Sequence, residues 1–468
     1  MKYGRKVSVS VFFLTLLVMV SGCRGKGNSA ENAAERKTVV TIWTKDRHDA
    51  AYQESRVKEY NDTNEDNIVV DYRIYSDNYL QALDSAFQTN SAPDLIAYTD
   101  QVFYRFYARD YFADIMPYMD EEFQKSYSSV MVEGVNLFEN HCYFIPTCAT
   151  TPRLFYNKTL FRKAGISDPP ATMEEMIEVA KKITSLYAEE GIYGFAVNMK
   201  NAKSALDRSL LEEANKEIGI KSGYDFKNGC YDFTGYEQIL TNWRTLLSPD
   251  CAYPYCSELD IDPLRQMFAD GKIGMYISYI HSEAGVYQKQ FPMEDEWGCA
   301  EIPTAGGMQE GAQNYSLNNG FLMNKNCENP EAVWKAYCAL FGSLDYQKEY
   351  YENGFGVSII PRIIEEAKQE GYAPEYETLI LGENDKMWPK TPLEENGEAV
   401  VVDGLDFYET FKELLFNQEK IAPALEQLTE KYNRAYRQGI RQQLGREIKI
   451  IDFDPANPAN TVEGKDEK

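Results

Sequence analysis

Histidine is scarce in this 468-residue chain, occurring only at 48, 141 and 281. No H-E-x-x-H helix can therefore form, and neither a Walker loop nor G-x-S-x-G is present. The apolar run from Val7 to Val20 stops at 14 residues, short of the roughly 20 that a membrane-spanning helix needs. Positive charge is sparse too, with 48 Lys and Arg against 73 Asp and Glu, net −25. That balance argues against nucleic acid, and against an anionic membrane surface, as a partner. Of the nine cysteines, eight follow Cys23, and none of them forms a C-x-x-C metal pair. Cys251 and Cys256 are close enough to bridge a loop or to stay free, and Cys338 falls on an apolar helical face. No metal and no cofactor is expected, and no internal repeat is visible.

What is present begins with a targeting segment. Lys2, Arg5 and Lys6 precede the apolar run, and Val20-Ser21-Gly22-Cys23 closes it. The closing tetrapeptide resembles a bacterial lipobox. The resemblance implies removal of residues 1–22 and a diacylglyceryl thioether on Cys23, a two-chain anchor. An ordinary signal peptide with a chance cysteine is the plain alternative. Cleavage would remove three positive charges and take the net charge from −25 to −28. Residues 23–37 are polar and small and read as a flexible tether.

From residue 38 the pattern is α/β. Thr38 to Trp43 and Ile68 to Ile74 read as strands with a helical segment between them. In such open sheets ligands sit beyond the carboxyl ends of the strands. Trp43, Lys45 and Asp46 lie there, Trp43 serving the ligand or the core equally well. Tyr98 and Asp100 close another strand, Leu95 to Tyr98. An aromatic face next to a carboxylate suits a sugar, which offers C–H faces and hydroxyl donors.

The stretch Tyr143 to Ile183 organises the chain. Tyr143-Phe-Ile145 ends at Pro146, and Leu154-Phe-Tyr156 follows a small polar crossing. Asn157 caps a helix that Gly165 stops, and Thr172-x-x-Glu175 has capping-box spacing ahead of a second helix. Phe268 to Ser278 reads as a helix end, a Gly-Lys turn and an apolar strand. Asn329-Pro330-Glu331 opens a further helix. The segment from Ser248 to Asp262 reads as a solvated loop, its Asp260-x-Asp262 lacking EF-hand spacing.

These blocks together resemble the family-1 extracellular solute-binding proteins of ABC importers, the carbohydrate-binding, maltose-binding-protein-like kind. The carriers are YNK-x-LF-x-KAGI from Tyr156, Pro93-Asp94 before its strand, and the Gly271-Lys272 and Asn-Pro-Glu-Ala blocks. The resemblance implies a two-lobed periplasmic-binding-protein-like fold (type II) of mixed sheets flanked by helices, with three hinge crossings. Lobe 1 is expected at 38–148 plus 302–325, lobe 2 at 149–301 plus 326–450, and a loose tail at 451–468. The implied ligand contacts are Trp43, Lys45, Asp46, Tyr98, Asp100, Thr150, Asn201, Tyr279 and His281. Relatives commonly carry Gly then Trp after the 268–278 block, where this chain has Tyr279 and His281, so the aromatic platform is displaced.

The implied role is a monomeric subunit on the outer face of the bacterial membrane, lipid-anchored through Cys23. It captures a carbohydrate, read as an oligosaccharide, performs no chemistry, and passes the sugar to permease subunits. Three alternatives stay open. The same fold serves a polyamine or a phosphate ester, or it reports to a sensor kinase. A secreted glycosidase would need two facing carboxylates, and no such pair is placed by the sequence.

Overall fold

Thr38–Thr44 is rich in β-branched residues and turns Val40, Ile42 and Thr44 inward. It pairs in parallel with Ile68–Ile74 on one side and with Leu95–Ala97 on the other. Phe321–Met323 adds to Leu95–Ala97 in antiparallel fashion, completing a four-stranded sheet. A second four-stranded sheet runs in the order Trp297–Ala300, Pro152–Asn157, Ile273–Tyr279, Tyr193–Phe195. These strands come from a computed structural model that describes residues 37–75, 78–132, 135–307, 309–369, 379–417 and 419–458. The signal segment, Cys23 and the tether up to residue 36 lie outside the described residues. Among the described residues no helix is long and apolar enough to cross a membrane.

Each sheet anchors its own apolar core. Ile42, Leu95, Phe103, Phe144 and Leu322 belong to the first, and Phe155, Phe195, Trp243, Tyr276 and Phe411 to the second. Burying each such side chain contributes roughly 1.5–3 kcal/mol, so two separate cores make two lobes. The chain leaves the first core after Cys148 and re-enters it at Phe321. It leaves again after Ala367 and reaches the second core at Leu379.

This course corrects the expected boundaries in two places. The helices Pro330–Leu340, Leu344–Glu352 and Pro361–Gln369 were expected in lobe 2. Their buried residues, Val333, Tyr337, Tyr346 and Ile363 among them, lie in the first core. Apolar spacing shows that a helix has a buried face, not which sheet receives it. The tail from 451 is not loose throughout. Phe453 packs on Trp388 with ring centroids 5.5 Å apart, and the Pro455 carbonyl accepts from Ala312 N at 2.7 Å. Residues 459–468 lie outside the described residues.

The local expectations fare better. Asn157 Oδ1 accepts from Leu160 N, Thr172 and Glu175 form a reciprocal capping box, and Asn329 caps its helix. Phe144 and Ile145 are buried, Tyr143 is half-buried, and the three form no strand. A short hairpin of Leu137–Phe138 with His141–Cys142 precedes them. All eight described cysteines are free, Cys251 and Cys256 included.

The crossings pair with one another. Cys148–Thr150 lies between Ser316–Asn318 and Val357–Ser358, antiparallel to both. Beside this small sheet the buried Arg153 pairs with Asp385, and Gln313 Nε2 donates to Thr151 Oγ1 at 2.6 Å.

Candidate interlobar binding cleft

The cleft is built where strands of both sheets run out. In lobe 1, Leu95–Ala97 leads into Tyr98, whose ring stacks on Phe144 with centroids 3.9 Å apart. Its hydroxyl donates to Asp100 Oδ1 at 2.5 Å. Asp100 opens the helix Asp100–Tyr107, where a carboxylate is favoured by the helix dipole. Its other oxygen accepts from Lys390 of lobe 2. Burial pushes the Asp100 carboxyl up, but Lys390, Tyr98 and Lys221 outweigh it and hold it below its ordinary value. The Lys390 ammonium also lies 5.8 Å from the Tyr104 ring centre.

In lobe 2, Ile273–Tyr279 ends at the half-buried Tyr279. The Arg208 guanidinium covers that ring at 5.2 Å, a cation–π arrangement. Two residues on, His281 Nδ1 meets Thr150 Oγ1 of the hinge sheet at 2.7 Å. Its ring meets that of His48, from lobe 1, edge-on at 5.3 Å. Burial pushes the His281 imidazole well below its ordinary value, helped by the charges of His48, Lys45, Arg265 and Arg208. His281 is therefore neutral at pH 7.

Carboxylates continue the lining. Asp207 accepts from Tyr408 Oη at 2.9 Å and from Lys203 at 2.5 Å. Glu212 is buried, and desolvation lifts its carboxyl to about 7 against the opposing pull of Lys221 and its hydrogen bonds from Asn215 and Asn314. The charges of Asp207, Arg208, Glu212 and Lys203 all reach Tyr279, and that of Lys221 reaches both Glu212 and Asp100.

Against the nine expected contacts, the structure gathers Tyr98 with Asp100, and Thr150 with Tyr279 and His281. Lys45 is exposed, its charge felt at His281. Trp43 is half-buried at its strand end and packs on Tyr75 at 4.2 Å. Asp46 follows Lys45 in the same loop, and its charge is felt at Tyr72, Tyr79 and Tyr350. The Asn201 side chain caps Ala202–Asp207, and Asn201 lines a cavity of about 430 Å³ with Lys200, Lys203, Asp260 and Tyr408. The Asp260-x-Asp262 pair is spent on Lys200, Arg47 and Arg265. Among the described residues no cluster suited to a metal ion occurs. Arg208, Glu212, Lys390 and Tyr408 were missed, since nothing in their local sequence separates them from surface residues.

Residues 44–337 match the model of the bacterial extracellular solute-binding protein family. The chain belongs to that family. A binding protein of Brucella abortus is 26% identical over 260 residues, 54% of this chain and 59% of the relative, so the match spans little more than half of each. Solved structures agree in fold. An ABC substrate-binding protein from Listeria monocytogenes, in complex with cycloalternan, has TM-score 0.62 at 17% identity, covering 85% of this chain and 98% of its own. A maltose/maltodextrin-binding domain from Bdellovibrio bacteriovorus, bound to maltotriose, has TM-score 0.66 at 17% identity, covering 86% and 100%. A sugar transporter protein from Bacillus licheniformis, in complex with stachyose, has TM-score 0.64 at 16% identity, covering 85% and 100%.

Proposed function

We propose that this solute-binding protein captures a carbohydrate, an oligosaccharide, between its lobes and delivers it to the permease of an ABC importer. It works as a monomer held outside the cell by a lipid on Cys23, and performs no chemistry on the sugar. The observation that carries this reading is the lining of the cleft. Tyr104 and Tyr408 sit beside Asp100, Asp207 and Lys390, contributed by both lobes. Aromatic rings cover C–H faces, and carboxylates accept from paired hydroxyls more strongly than neutral groups do. The sugars bound by the three solved relatives support the same class. One feature favours a second reading, a phosphate-ester solute: Arg208 and Lys45 supply positive charge at the His281 end.

Thermal unfolding of residues 24–468 against mono- and oligosaccharides, polyamines and glycerol phosphate tests the reading. A ligand that binds only the folded form raises the midpoint once its concentration exceeds Kd. One class of saccharide should raise it, with the sugar recovered unchanged. A shift with a polyamine or glycerol phosphate alone would overturn the carbohydrate reading, and release of shorter sugars would overturn the absence of chemistry. Membrane fractionation of cells expressing the full chain or Cys23→Ala tests the anchor. The variant should move to the medium, and its retention would rule the anchor out.

A further inference from the structure

We propose that the solute is an acidic saccharide, whose carboxylate or sulfate group is held at the His281 end of the cleft by Arg208 and Lys45. This rests on the carbohydrate reading above and narrows it. Arg208 is half-buried, yet its guanidinium donates only to neutral oxygens. These are Ser204 O and Ser204 Oγ, both at 2.9 Å, and Ser278 Oγ at 3.3 Å. Among the described residues no carboxylate pairs with it, and none pairs with Lys45. The nearby carboxylate Glu283 is already committed. It takes Arg265 through Nε and Nη2 at 2.7–3.2 Å and accepts from Ser278 Oγ at 2.5 Å. Asp207 is likewise held by Lys203 and Tyr408.

Arg208 thus lies over Tyr279 with no carboxylate partner among the described residues, and the charge of the exposed Lys45 is felt at His281, in a chain of net charge −25. They come from opposite lobes, Lys45 from the loop after Thr38–Thr44 and Arg208 from the end of Ala202–Asp207. Burial holds the Arg208 guanidinium below its ordinary value. An anionic substituent relieves that cost and, by reaching Lys45, bridges the lobes. The guanidinium fork suits a planar carboxylate or a sulfate. The ring of Tyr279 points the same way. Its face is already covered by Arg208, so a neutral pyranose could not stack there without displacing the cation. Thr150 and the two imidazoles, neutral at His281, supply hydrogen-bond partners beside the charge.

Titration calorimetry on residues 24–468 would compare oligogalacturonate, an aldouronic acid from glucuronoxylan and a sulfated disaccharide, each against its carboxyl-reduced or desulfated analogue. One acidic member should bind at least about tenfold more tightly than its neutral analogue, with affinity falling as salt is raised. Arg208→Gln should erase that preference, and Arg208→Lys should restore part of it. Lys45→Gln, at an exposed position, should lower it several-fold and serves if Arg208→Gln unfolds. A neutral analogue that binds as tightly as its acid overturns the acidic class and leaves the carbohydrate reading standing. Binding of glycerol phosphate without any saccharide, or of no saccharide at all, overturns both.

Discussion

Glu212 shows how much one buried carboxyl costs. Desolvation raises it from 4.5 to about 7 in the folded protein, so between those values the folded state binds more protons than the unfolded one. Stability from this group is full below pH 4.5 and is lost as pH rises through 7. The shift amounts to a few kcal/mol at most. Glu212→Gln should flatten that slope, seen as urea midpoints that change less between pH 4.5 and 7 than in the parent. A parent with no slope in that window would show that Glu212 is ionised throughout. Burial also changes what Tyr98 can report. It is 6% exposed and stacked on Phe144, so its truncation to alanine opens a cavity costing about 3–5 kcal/mol. Folding and binding would fall together, and Tyr98→Phe, which removes only the hydroxyl bond to Asp100, separates them.

At the scale of elements, contact between helix and sheet depends on small residues at specific points. Met173–Tyr187 lies against Tyr193–Phe195 so closely that a Cβ on Gly194 would sit 2.1 Å from Ala180 O. That oxygen belongs to helix backbone and cannot turn aside. Gly194→Ala should therefore destabilise the second lobe by about 1–3 kcal/mol, read as a lower thermal midpoint without ligand. An unchanged midpoint would mean that the helix slides at little cost. The capping residues Asn157, Thr172 and Asn329 were legible because a cap is decided by neighbours within three residues. The placement of Pro330–Gln369 on lobe 1 was not, because the faces of either sheet would bury Val333 and Tyr337 equally well.

Across the whole molecule the lobes are joined by ion pairs as well as by the hinge. Asp100 pairs with Lys390, Arg109 with Glu398 at 2.7 Å, and Arg47 with Asp262 at 3.8 Å. The last two involve exposed side chains and contribute little. The first is less exposed, and Asp100 is held below its ordinary value, so its contribution is present above the usual carboxylate range and is lost as pH falls. Lys390→Met should weaken ligand binding by about 1–3 kcal/mol, seen as a higher Kd, with a larger radius of gyration at subsaturating ligand. Unchanged affinity and radius would show that the hinge alone sets closure. Motion about paired crossings is consistent with hinge-type closing around a ligand. The buried Arg153–Asp385 pair beside them keeps the second lobe's side of the hinge in one register.

The α/β class, the strand ends and the helix caps were determined by the sequence alone, because alternation, apolar spacing and capping are short-range physics. Tyr98, Asp100, Thr150, Tyr279 and His281 were singled out by strand ends, the crossing and resemblance, and the structure pairs Tyr98 with Asp100 and groups Thr150 with Tyr279 and His281. Only the tertiary structure decided which lobe receives the helices from Pro330, and which partners Arg208, Glu212, Lys390 and Tyr408 take. The physical reason is the same in each case. A side chain's charge state and partners depend on residues up to hundreds of positions distant, as with Asp100 and Lys390, and no local pattern encodes them.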